Sequence, residues 1–296
     1  MQRLAIVEAP SILGLKPTGV ETLPYTLLAN GLAEQLNARH AARVEAPPYS
    51  ADRDPVTLTL NDRSINHYST RLADAICSVL DNGEFPVVLG GDCSILLGSM
   101  LALRRHGRYG LLFIDGHADF YQPEVNPNGE VASMDLAFVT GRGPAILTDI
   151  EGRRPLVRDE DCVVFAFRDA EEQARYGSQA LPPEMLALDL ARVRDRGAET
   201  SAREAVRHLT REHGASAGFW IHLDADVLDD AIMPAVDYRL EGGLSWAELA
   251  TVLRIAADSK RAVGIEVTIY NPKLDPAGAS GKELTSTLVK GLSPLH

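Results

Sequence analysis

Short apolar runs recur along this chain at Leu4 to Val7, Val87 to Leu89, Leu111 to Ile114, Val163 to Phe167, Phe219 to Leu223 and Val263 to Ile269. A run this short with no polar alternation reads as a strand buried on both faces. Tyr25 to Leu36, Asn66 to Leu80, Leu96 to Arg105 and Trp246 to Ala257 instead repeat apolar residues at three- and four-residue steps, as helices do. Parallel strands need such crossovers. The pattern predicts an α/β fold: a three-layer αβα sandwich around a mostly parallel sheet. At 296 residues the chain can bury one large core, so residues 1–296 are expected to form a single domain. No internal repeat or low-complexity tract interrupts it, and Tyr121 to Val131, rich in Pro, Asn and Gly, reads as a loop.

The chemistry gathers where three of these strands end. Gly90-Gly91-Asp92-Cys93-Ser94, Asp115-Gly116-His117-Ala118-Asp119 and Asp224-Ala225-Asp226-Val227-Leu228-Asp229 each follow an apolar run directly, and open α/β sheets bind ligands at the carboxyl ends of their strands. In Asp115-x-His117-x-Asp119 and Asp224-x-Asp226 the polar residues alternate at the period of extended chain, so one face can carry them all. Strand-end aspartates also cap following helices, which would account for any one cluster. Four carboxylates and an imidazole brought together repel one another unless cations neutralise them, and divalent metal is the economical reading. Two metals ~3.5–4 Å apart activate water and polarise an electrophile, the machinery of hydrolysis.

A net charge of −12 disfavours nucleic acid as a partner, because a phosphate backbone is held by clustered Lys and Arg. No stretch approaches the ~18 apolar residues of a membrane span, and Glu8 interrupts the apolar start at the point where a secretory leader would continue. A soluble, cytoplasmic protein acting on a small molecule is expected. Cys77, Cys93 and Cys162 are too few for a disulfide framework; Cys77 and Cys162, in apolar helix and strand contexts, read as inert.

The three clusters, in this order and spacing, resemble the arginase/agmatinase/formiminoglutamase (ureohydrolase) family, whose motifs run Gly-Gly-Asp-His-Ser, Asp-x-His-x-Asp and Asp-x-Asp-x-x-Asp-Pro. Gly19-Val20-Glu21 with Pro24 is similar to the family's entry segment, Gly242-Gly243-Leu244-Ser245 to its late glycine turn, and Glu266 with the later Asn271-Pro272 to its terminal motif. The resemblance implies an arginase/deacetylase-like fold and two divalent metal ions per chain, Mn2+ first, with Co2+, Ni2+ or Zn2+ as alternatives. Asp115, His117, Asp224 and Asp226 would hold one ion and Cys93, Asp115, Asp119 and Asp224 the other. Asp119 would also orient the attacking water, and Glu266 would face a substrate cation. Trimers or hexamers of the chain are implied as well. Asp229 reads as a residue that orders its loop.

Cys93 stands where the family has a ligand histidine. A thiolate favours softer metals such as zinc, iron or cobalt, while the oxygen donors around it favour manganese. Gapless alignment from Asp119 places Ala132 where arginases carry a histidine thought to shuttle protons, and Asp135 where a proline is usual. The loop positions that read the amino acid's carboxylate in arginases are here Tyr121, Asn128 and Glu130, and Glu130 would repel that group. Arg168-Asp169-Ala170-Glu171 resembles a segment that binds the α-ammonium, which would make Glu171 substrate-binding; it reads equally as the solvated start of a helix. His222, two residues before Asp224 on the same strand, should point to the ligand side, as a partner of the site or as part of the core.

The resulting expectation is a hydrolase that cleaves a C–N bond of a guanidino, N-hydroxyguanidino or formimino compound. Family branches with cysteine in the first motif resemble hydrolases of modified arginine. The alternative is a non-catalytic binding or regulatory protein on the same fold with a degenerate metal site. A one-metal deacylase would need a histidine pair that the sequence does not offer.

Overall fold

A computed structural model describes residues 3–293 apart from 213 and 216. Its centre is an eight-stranded sheet: β1 Leu4–Glu8, β2 Arg39–Arg43, β3 Phe85–Leu89, β4 Gly110–Ile114, β5 Cys162–Phe165, β6 Leu186–Leu188, β7 Phe219–Asp224 and β8 Ala262–Thr268. They lie in the order β2-β1-β3-β8-β7-β4-β5-β6, and every pairing is parallel. Each of the six apolar runs read from the sequence marks a strand, and two of them run past its end: Ala166 and Phe167 lie beyond β5, and Ile269 lies beyond β8. The edge strands β2 and β6 escaped that reading because neither carries a clean apolar run: β2 is Arg-His-Ala-Ala-Arg and half exposed, and β6 has three residues.

Alternate residues of each strand enter opposite layers. Leu112, Ile114, Ile221, Leu223, Ile265 and Val267 pack with helices Ala198–Leu209, Trp246–Asp258 and Ala279–Leu292. Leu111, Phe113, Val164 and Trp220 pack with helices Asp62–Asp81 and Leu96–His106 on the other face. Burying both faces of a parallel sheet this way gives the three-layer sandwich. The helix expected over Tyr25 to Leu36 is broken, with Leu23–Ala29 and Leu32–Gln35 separated at Asn30-Gly31. Gly31 takes φ 83°, a left-handed value that stops the first helix. Helix Trp246–Asp258 begins where expected, fixed by a reciprocal capping box between Ser245 and Glu248.

The three motif-bearing strands and β8 are consecutive in space, in the order β3-β8-β7-β4. Their carboxyl ends therefore form one continuous row, although more than 170 residues of sequence separate Cys93 from Ile269. No described helix is long and apolar enough to cross a membrane.

Candidate metal centre and its cavity

Each strand delivers its polar residues as the backbone leaves the sheet. After β3 the chain turns at Gly91, where a Cβ would lie 1.7 Å from the Ser11 carbonyl oxygen, so only glycine lets the first motif seat. Asp92 then caps the short turn through Ser94 N (2.9 Å). After β4, the Asp115 carboxylate accepts His117 N (2.6 Å), and the Asp226 carboxylate accepts Gly116 N (3.0 Å), tying the second motif to the third. Asp224 accepts Asp226 N at 2.7 Å. Two non-glycine residues at the site hold left-handed backbone, Asp119 (φ 44°) and Ile269 (φ 69°); such conformations persist where the surroundings over-determine them and cluster at functional sites.

Asp115, Asp119, Asp224, Asp226 and Cys93 are all buried. Three overlapping groups form, and within each the donor atoms lie within 4.8 Å of one another: Asp115, His117 and Asp226; Cys93, Asp115, His222 and Asp224; and Cys93, Asp119 and Asp135. The His117 Nδ1 sits 2.8 Å from Asp226 Oδ2, and the Cys93 thiol donates to Asp224 Oδ2 at 2.9 Å.

So much buried acid makes ionisation costly. Burial, then Asp226, raises Asp115 to about 6. Burial and neighbouring carboxylates push Asp119, Asp135 and Asp224 well above the carboxylate range, and burial with Asp224 pushes the Cys93 thiol up. Asp226 alone goes down, to about 2: burial works against its charge, and the His117 imidazolium outweighs it. Fully buried Asp115 Oδ2, Asp135 Oδ2 and His222 Nε2 have no hydrogen-bond partner. Orphaned buried acceptors carry a desolvation penalty that a cation would relieve, so the residues present fit a pair of divalent ions.

Above the cluster opens a cavity of about 340 Å³. His117, Asp119, Asp224, Asp226 and Cys93 line it, as do Asn128, Glu130 and Ala132 from the loop. Glu130 is buried and engaged: Tyr238 Oη donates to it at 2.6 Å and Lys16 Nζ lies 3.3 Å away. Asp229 orders its own loop, accepting Ala231 N at 2.9 Å.

Two expected substrate contacts are placed elsewhere. Glu171 is exposed and outside the cavity wall; Glu172 and Tyr176, four apart on helix Ala170–Tyr176, line it instead. Asp169, two residues before Glu171, is spent on structure, accepting Ala118 N (3.1 Å) and Gln173 Nε2 (2.7 Å). Glu266 does not reach the cavity either. It pairs in register with His222, inside the sheet rather than at the strand end, and is fully buried beneath helix Leu96–His106, where it accepts from the Ser99 hydroxyl and binds His222 Nδ1 at 2.7 Å. The terminal segment meets the cavity at Ile269. Its spacing to Asn271-Pro272 is the sequence signal that marks this residue; the Lys16 and Tyr238 contacts to Glu130 have no local signal in the sequence.

The fold and the cluster together define a class: an α/β protein that presents carboxylates, an imidazole and a thiol at adjacent strand ends, able to hold divalent cations beneath a ligand-sized cavity. The chain belongs to the arginase family, whose model matches residues 4–292. It is 28% identical over 293 residues to an arginase of Brevibacillus brevis, covering 93% of this chain and 92% of that one, and 27% identical over 282 residues to an arginase of Bacillus caldovelox, covering 93% of each. The solved structure of the Bacillus caldovelox arginase superposes with a TM-score of 0.87 at 24% identity, covering 99% of this chain and 98% of that one.

Proposed function

We propose that the protein is a metal-dependent hydrolase of linear C–N bonds of the amidine type, acting on an N-hydroxyguanidino or formimino compound in preference to a plain guanidinium. The observation that carries it is the convergence of Asp115, His117, Asp119, Asp224, Asp226 and Cys93 within and beneath one cavity. Asp115, His117, Asp224 and Asp226 would hold one cation, and Cys93, Asp115, Asp119 and Asp224 the other. Two divalent ions there supply an acidified water and a Lewis acid at neutral pH. Manganese remains the first choice among the oxygen donors, with cobalt, nickel and zinc favoured to the degree that Cys93 binds as thiolate.

The chain's own residues do the rest. Asp119, buried at the cavity floor, takes the proton as a water oxygen adds to the amidine carbon. Asp119 then returns that proton to the amine nitrogen as the C–N bond breaks, and the amine leaves. Ala132 offers no group to relay that proton, so Asp119 alone would carry it, and a carbon that adds water more readily than that of a plain guanidinium suits this cavity. Ile269 offers an apolar wall where a guanidinium would need a carboxylate, which favours the less basic N-hydroxyguanidino group over a plain guanidinium. Asn128 and Glu130 would contact the substrate's tail, with Glu130 partly neutralised by Lys16.

The test is a screen of guanidino, N-hydroxyguanidino and formimino compounds for urea, hydroxyurea, formamide or amine release, with manganese, cobalt, nickel and zinc supplied separately. A preferred compound should exceed L-arginine by at least roughly a hundredfold in kcat/KM, about 2.7 kcal/mol of barrier. Comparable values for the two would sink the preference. The second reading, a non-catalytic binding protein, draws on the same pair Ala132 and Ile269; metal-loaded protein that binds these compounds without turning any over would establish it.

A further inference from the structure

We propose that His222 is itself a ligand of the cation at the Cys93 position, supplying from β7 the imidazole that the first motif lacks; the inference rests on the dinuclear reading above. Four residues meet at this place, Cys93, Asp115, His222 and Asp224, all buried and with donor atoms within 4.8 Å of one another. Cys93 offers only a short thiol arm. His222 comes from directly below, two residues before Asp224 and on the same face of the sheet.

The orientation of the ring is fixed on every side. Its Nδ1 lies 2.7 Å from Glu266 Oε1, and the other Glu266 oxygen accepts from the Ser99 hydroxyl. Glu266 thus serves as acceptor at both oxygens, and His222 donates from Nδ1. Phe113 stacks on the ring with centroids 4.5 Å apart and planes 9° from parallel. What remains is the Nε2 lone pair, fully buried and without a hydrogen-bond partner. It faces Asp115 Oδ2, another orphaned atom, at 3.9 Å. Two donors each ~2.1 Å from one cation lie at most ~4.2 Å apart, so this spacing admits an ion between them. A carboxylate holding the far nitrogen of an imidazole is the arrangement that fixes the tautomer and raises the basicity of a metal-binding histidine. As a core residue, His222 would leave Nε2 buried without a hydrogen bond. As a ligand, every polar atom from Ser99 through Glu266 to the ring is used.

Cobalt titration of chelator-stripped protein tests this with readouts independent of turnover. The wild type should take up two Co2+ per chain, and its NMR spectrum should show two exchangeable, strongly shifted imidazole N–H resonances, from His117 and His222. His222→Asn should lose one resonance and weaken one of the two cobalt sites at least roughly a hundredfold, with loss of the near-ultraviolet thiolate-to-cobalt absorption that reports Cys93. Glu266→Gln, a gentler change that keeps the shape, should weaken the same site ~10–100-fold and leave the other untouched. Two bound Co2+ with a single shifted N–H resonance in the wild type would overturn the assignment of His222 alone, and this holds even if His222→Asn does not fold. A wild type that binds no cobalt would overturn the metal reading and this inference together.

Discussion

At the scale of single residues, apolar side chains share the cavity with the acids. Ile269 is the clearest: it lines the cavity, is buried, and holds a left-handed backbone. Such a position tolerates a β-branched residue poorly, and strained backbone of this kind clusters at functional sites. Ile269→Glu would place a carboxylate against the electrophile. We expect the ratio of kcat/KM for a guanidinium substrate over an N-hydroxyguanidino one to rise at least tenfold, ~1.4 kcal/mol, from the new charge-assisted contact. An unchanged ratio would show that Ile269 does not set the substrate's charge. Cys93 makes a second test. Its thiol is buried and pushed up in pKa in the metal-free protein, whereas a bound cation would draw it to thiolate and cover it. Alkylation of the stripped, mildly opened protein should label Cys93, and reloading with cobalt or zinc should suppress that labelling at least tenfold. Equal labelling in both states would remove Cys93 from the ligand set.

At the scale of elements, the site is held by turns that leave little latitude. Gly91 sits so close to Ser11 that any Cβ collides with backbone, which cannot move aside as a flexible side chain can. Gly91→Ala should therefore cost more than ~2 kcal/mol, read as a lowered urea midpoint at unchanged slope, and should lower metal content with it because Cys93 lies two residues on. Full stability would mean that the turn and the segment around Ser11 shift freely together. The same elements show why the sequence was informative in part. Strands buried on both faces announce themselves as apolar runs, and Asp115-x-His117-x-Asp119 keeps the period of extended chain, so the central strands and the clustered acids were legible. β2 was not, since an exposed edge strand needs no apolar face. Nor was the burial of Glu266: a residue's place along a strand depends on register with its neighbour, here His222 against Glu266, and register is set by the sheet as a whole. Asp135 meets the acid cluster, and Tyr238 the cavity, only because separate segments fold together there.

Over the whole molecule, the buried acids couple metal binding, protonation and stability. Asp115 is raised to about 6 and Asp119, Asp135 and Asp224 further still, with burial as the leading cause. An acid raised on folding keeps its proton in the native state at a pH where the unfolded chain has released it. Stability then falls as pH rises from the unfolded value near ~4 through the folded one, by up to ~1.4 kcal/mol per pH unit for each proton so held. His117 adds in the same direction: its pKa is raised, with burial opposing and Asp226 and Asp115 prevailing, so its contribution is complete below ~6.5 and is lost as pH climbs through the raised value. Asp226, lowered to about 2, matters only in strong acid, where its contribution disappears. Metal-free protein should accordingly lose melting temperature steadily between pH 5 and pH 8. Cations take the place of those protons, so binding releases protons and tightens as pH rises, and ligand binding to the native state raises stability by mass action. The gap in melting temperature between manganese-loaded and chelated protein should therefore widen across the same range, by several degrees, when both are scanned by calorimetry in matched buffers. A gap that stays constant with pH would mean that the carboxylates are already ionised without metal, and that something other than a pair of cations neutralises this cluster.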